Sequence, residues 1–141
     1  MPRFVWALPV ALLLAACGNQ QAGYQITDNK HSLSITRSQE YPGARWDTWL
    51  VISNFPECQR RHALKDTGDK FGMDLYRPEP NVFILNQGKR WYVAAMAGCR
   101  MQQFTTEPPE PGEQIGRFET KEGELVYTSL EKPADGAGKA P

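Results

Sequence analysis

Apolar and polar residues alternate with a period of two along much of this chain, and short turns interrupt the alternation. Ser32-Leu33-Ser34-Ile35-Thr36 reads as a strand with one face to water, and Tyr41-Pro42-Gly43 breaks it as a turn. Residues 46–55 form the strongest candidate. Trp46, Leu50 and Ile52 share one parity there, and Trp49, Val51 and Phe55 share the other, which predicts a central strand covered on both faces. Met73-Asp74-Leu75-Tyr76 alternates again and stops at Pro78-Glu79-Pro80-Asn81. Residues 82–85 and 90–97 flank Asn86-Gln87-Gly88-Lys89 as the clearest hairpin. In its second arm Trp91, Val93, Ala95 and Ala97 share a face, and Tyr92, Ala94 and Met96 share the other.

Other stretches leave alternatives open. Residues 59–66 suit either an edge strand or one helical turn. The Pro-rich loop 107–113 cannot enter a sheet or helix interior. A second hairpin, 117–120 with 125–130 around Lys121-Glu122-Gly123-Glu124, is expected to dock on the main sheet, because an isolated hairpin is marginal in water. Residues 19–28 are polar and small. They read as a tether, with the alternative of a terminal strand added to a sheet. Together these elements predict a mainly β fold: a small antiparallel β-sandwich or barrel with hairpins and a possible minor helix near residues 59–64.

The N-terminal residues carry a different signal. Arg3, an apolar run over residues 4–13 and then small residues have the layout of a secretory signal. The run is about ten residues, half of what a membrane-spanning helix needs. Leu14-Ala15-Ala16-Cys17 resembles the lipobox of bacterial lipoproteins. That resemblance implies a signal peptide over residues 1–16 and a mature chain that starts at Cys17, lipidated on its sulfur with palmitate-type acyl chains. Gly18 stands where inner-membrane members of the class carry aspartate, so the resemblance points to the outer membrane with the domain facing the periplasm. The expected organisation is then a lipidated tether over 17–30, a β-rich domain over 31–131 and a flexible tail over 132–141.

The lipobox also changes how the cysteines read. The chain has three, an odd count for a secreted protein. With Cys17 lipidated, Cys58 and Cys99 are each other's obvious partner in an oxidising compartment. The loop they close spans about forty residues, which chain entropy values at roughly 4 kcal/mol.

Composition adds little more. Four Trp, five Tyr and six Phe are enough for a packed domain. Lys and Arg equal Asp and Glu at 16 each, so no strong field draws the chain to nucleic acid.

A disulfide from Cys58 to Cys99 would gather Arg60, Arg61, His62 and Arg100 at one end of the sheet. Guanidinium forks match phosphate and carboxylate oxygens, so this rim is a candidate anion-binding site. Its plainer reading is a solvated, salt-bridged edge. Lys89-Arg90-Trp91-Tyr92 is a lesser cation–aromatic candidate. Cys58 and His62 have a ligand-like spacing, but oxidation competes for the thiol and nothing pairs Cys99 with His31 in the same way, so no metal is expected. No Gly-rich phosphate loop, G-x-S-x-G or H-E-x-x-H occurs, and no cofactor is implied. The expected role is non-catalytic: a structural or interaction lipoprotein of the cell envelope. Its expected contacts are the membrane, an envelope protein, a glycan or an anionic lipid. The alternative is a binding or inhibitor module, for example against a cell-wall-active enzyme.

Overall fold

The alternating stretches fold into ten strands, described over residues 18–131 in a computed structural model. The candidate signal peptide, Cys17 and the tail 132–141 lie outside the described residues. The strands are β1 (Gly18–Asp28), β2 (His31–Gln39), β3 (Asp47–Asn54), β4 (Cys58–Leu64), β5 (Gly72–Glu79), β6 (Val82–Gln87), β7 (Arg90–Ala95), β8 (Arg100–Gln103), β9 (Glu113–Lys121) and β10 (Glu124–Ser129). One sheet has four strands in chain order, β1-β2-β3-β4; the other has six, in the order β10-β9-β5-β6-β7-β8. Every pairing is antiparallel. The two sheets form an open sandwich and not a closed barrel.

Period-two alternation explains why the sheets stack. Leu33, Ile35, Leu50 and Ile52 project inward from the first sheet, fully buried. They meet Met73, Leu75, Phe83, Leu85, Ala94 and Phe118 from the second. Each buried Leu, Ile, Met or Phe contributes about 1.5–3 kcal/mol, so this shared face is the main source of cohesion. The parity expected for β7 holds: Tyr92 and Ala94 are buried, while Trp91, Val93 and Ala95 lie on the half-exposed outer face. The expectation for β3 needs correcting. It is central within its sheet, but only the Thr48, Leu50 and Ile52 side is core. Trp49 and Val51 face outward and are half-buried by same-face neighbours, and Phe55 is 42% exposed.

Two further corrections concern the ends of the first sheet. Residues 18–28 are not a tether. They pair with β2 from Gly18↔Gln39 to Asp28↔His31, so the terminal-strand alternative is the one observed and the fold begins before residue 31. Residues 58–64 are an edge strand, which removes the minor helix proposed there. Among the described residues, helical geometry is confined to a 3₁₀ turn at Ala97–Cys99.

The second hairpin docks as expected, because β9 pairs with β5. Its turn residues Glu122 and Gly123 both have positive φ, at 52° and 79°, which suits a two-residue turn between twisted strands. Gly116 leaves room for the Tyr127 phenol, whose hydroxyl donates to the Ile115 carbonyl at 3.2 Å. β5 runs on through Pro78 to Glu79, past the predicted stop. Its register with β6 is irregular between Tyr76 and Glu79, where a residue without an N–H is tolerated.

Different contacts close the two sides of the sandwich. On the β4 side, Cys58 and Cys99 form a disulfide with their Cα atoms 6.0 Å apart. On the β1 side, Tyr24 packs against Phe83 at 5.9 Å and Tyr127 at 5.3 Å between ring centroids. The Tyr24 hydroxyl donates to Glu131 Oε1 at 2.9 Å, and Arg77 Nη1 donates to the same hydroxyl at 3.2 Å. Burial, then the Glu131 carboxylate, push the Tyr24 phenol above its ordinary range.

With the bridged cysteines 41 positions apart in sequence, loop entropy predicts that the double variant Cys58→Ala, Cys99→Ala loses about 4 kcal/mol of stability. Urea unfolding of the oxidised protein and the variant checks this, and coincident midpoints would contradict it.

Candidate functional site

The predicted rim does not assemble as one cluster. Alternation along β4 sends the Arg60 and Arg61 side chains to opposite faces. Arg60 shares its parity with Cys58, His62 and Leu64 and is exposed. His62 is held by the bridge region, its Nε2 donating to the Cys99 carbonyl at 2.8 Å. Arg61 lies on the outer face, its guanidinium 4.3 Å above the Trp49 ring. Arg100 pairs with Ala95 and borders a shallow hollow with Val93 and Gln102, on the outer face of the other sheet. No ion pair among the described residues involves Arg60, Arg61 or Arg100. The disulfide therefore brings backbones together but distributes the cations over three directions. Both sulfurs are bonded to each other, so neither Cys58 nor Cys99 is available as a thiolate ligand or nucleophile. The Lys89-to-Tyr92 candidate is also divided: Trp91 stacks beside Tyr76 at 5.7 Å on the outer face, while Tyr92 enters the core.

A charged residue that the sequence reading passed over lies inside the sandwich. Arg37 continues the inward parity of Leu33 and Ile35 and is 1% exposed. Its Nη1 donates to Gln20 Oε1 at 3.0 Å, its Nε to Thr48 Oγ1 at 3.4 Å, and its Nη2 to the Gly68 carbonyl. The guanidinium sits 4.5 Å from the Trp46 ring centroid and 5.3 Å from that of Phe71. Asp69 accepts from the Trp46 indole N–H at 3.0 Å, and Asp66 accepts from the Gly68 amide at 2.8 Å. Burial lowers the Arg37 pKa, and the charges of Asp66 and Asp69 oppose that shift without forming a direct ion pair. The arrangement ties the 65–71 connection to β1, β2 and β3. Each nitrogen of the buried guanidinium thereby has an acceptor. An arginine at a core-parity position was the signal that could have disclosed it.

The outer face of β1–β4 is built differently. Register places Gln21, Thr36 and Trp49 in one row across the sheet, with Asn19 and Ser38 in the next. Together with Arg61 these side chains border an open groove of about 470 Å³. The Asn19, Gln21, Thr36 and Ser38 side chains make no hydrogen bond with other described residues, so their donors and acceptors face solvent. Trp49 also borders a neighbouring hollow with Arg45, Asp47 and Ala63, and so stands as a ridge between two depressions. Of the rim residues, only Arg61 belongs to this groove. Compared with models of known families, with curated proteins and with solved structures, the chain has no significant match.

Arg37→Met keeps most of the side-chain volume but leaves the Gly68 carbonyl and the Gln20 and Thr48 oxygens without their donor. A buried acceptor left unpaired costs about 1–3 kcal/mol, and the variant is expected to lose stability in that range. Hydrogen exchange in residues 65–71 should accelerate with it. An unchanged midpoint with unchanged exchange would show that Arg37 does not hold this connection.

Proposed function

We propose that this chain is a lipid-anchored, non-catalytic protein of a bacterial envelope, whose β-sandwich serves as an interaction domain held close to the membrane. The observation that carries the reading is the join between motif and fold. Leu14-Ala15-Ala16-Cys17 matches a lipobox, and residue 18 already opens β1. An acylated Cys17 would hold its acyl chains in the bilayer at about 0.8 kcal/mol per buried CH₂, so several chains make a firm attachment. Adjacent Cα atoms are about 3.8 Å apart, so the first residue of the sandwich would sit at the membrane surface with no spacer. Gly18 after the cysteine favours the outer membrane, with the domain on its periplasmic side.

Such an anchor gives the sandwich a near and a far end. Gly18 pairs with Gln39, Ser38 with Asp47 and Thr48 with Leu64, so the turns at 40–46 and 65–71 lie at the near end. Gln20 Nε2 donates to the Gly123 carbonyl at 2.9 Å, which brings the β9–β10 turn there too. Asn54 Nδ2 donates to the Met96 carbonyl at 3.0 Å beside the disulfide, which marks the opposite end. β1 has 11 residues, so the two ends are separated by about 35 Å. The second reading, a binding module, is favoured by the solvent-facing groove beside Trp49.

Intact-mass and N-terminal peptide analysis of protein taken from membranes tests the anchor. The expected product begins at Cys17 and carries the mass of several acyl chains, and Cys17→Ser releases the protein from the membrane fraction. A mature N-terminus elsewhere, or an unmodified Cys17, would defeat the reading.

A further inference from the structure

We infer that the groove beside Trp49 binds a phosphorylated sugar of the cell envelope. The inference rests on the anchored reading above and names the ligand of the same domain. Its first support is the character of the surface. Along the outward parity of β1–β4 the residues are mainly amides, hydroxyls and small side chains, and the only charged ones are Asp47 and Arg61. Asp47 is within 3.9 Å of Arg45, an exposed pair outside the groove. Amide and hydroxyl side chains each offer a donor and an acceptor, as sugar hydroxyls do. An uncharged set of this kind suits a polyol better than it suits a protein helix or a nucleic acid.

The second support is the pair formed by Trp49 and Arg61. Trp49 projects from the floor of the sheet, and an indole presents a flat apolar surface to the C–H face of a pyranose ring. Arg61 stacks on that indole, which orients its guanidinium and leaves its N–H edges without an anionic partner among the described residues. A guanidinium held this way is suited to a phosphate, whose oxygens it meets through parallel donors. The adjacent amides and hydroxyls of Asn19, Gln21, Thr36 and Ser38 take the sugar.

The test uses the full mature protein with three soluble probes: the phosphorylated oligosaccharide released from a lipopolysaccharide, the same oligosaccharide after dephosphorylation, and inorganic phosphate. NMR shifts and the mass of the N-terminal peptide are recorded on the same preparation. The expected shifts fall on Asn19, Gln21, Thr36, Ser38 and the Trp49 indole. Removing the phosphate, or making Arg61→Gln on the exposed face, should weaken binding about tenfold or more, since a charge-assisted hydrogen bond of 1.5–3 kcal/mol corresponds to that range. Trp49→Ala should weaken it similarly, with an unchanged unfolding midpoint confirming that the variant is folded. Absence of these shifts with a lipidated Cys17 overturns the site, as does binding undiminished in Arg61→Gln or matched by phosphate alone. Binding to the groove in protein whose Cys17 is unmodified overturns the anchored reading and supports the site.

Discussion

The pairing of β1 with β2, from Gly18↔Gln39 to Asp28↔His31, is the constraint on which the rest depends. It adds the fourth strand of the first sheet and brings Tyr24 against Phe83 and Tyr127. It supplies Gln20, which accepts from buried Arg37 through its oxygen and donates to the Gly123 carbonyl through its nitrogen. One strand therefore supports the closure of the sandwich, the satisfaction of its internal cation and the near side of the groove. Without it β2 would become an edge strand, and the acceptors around Arg37 would be incomplete.

The opposite side is closed by a covalent bond where β1 uses packing. The Cys58–Cys99 disulfide joins edge strand β4 to the turn that leads into β8. Edge strand β4 otherwise carries exposed Gln59, Arg60 and Arg61, residues that discourage pairing with another chain. The buried Arg37 assembly adds a third tie, from the first sheet to the 65–71 connection. Apolar burial supplies most of the cohesion. These polar and covalent ties select which edges and loops accompany it.

Much of this architecture was legible in the sequence because β2, β3 and β7 carry their core residues at alternate positions. Leu33 and Ile35, Leu50 and Ile52, and Tyr92 and Ala94 all follow their predicted parity. Gly88 and Gly123 mark the turns of both hairpins. β1 was hard to read because its stretch has low strand propensity: two glycines, several amides and no β-branched residue before Ile26. Its inward residues Ala22, Tyr24 and Ile26 do alternate, but a small or amphipathic inner face resembles a polar linker. The cysteine pairing followed from counting, yet side-chain direction beyond the bridge did not. Proximity in sequence to Cys58 and Cys99 suggested one cluster, whereas strand parity sends Arg60 and Arg61 apart. The groove depends on residues from four strands in register, which no single segment displays.

Amide hydrogen exchange of the protein measures β1 directly. The account predicts that alternate amides of β1, those directed at β2, exchange slowly together with the amides of β2 and β3. Exchange of every β1 amide at the rate of an unstructured peptide, with β2 and β3 still protected, would contradict it. Residues 18–28 would then be a spacer, and Gln20 and Tyr24 would have no fixed place in the sandwich.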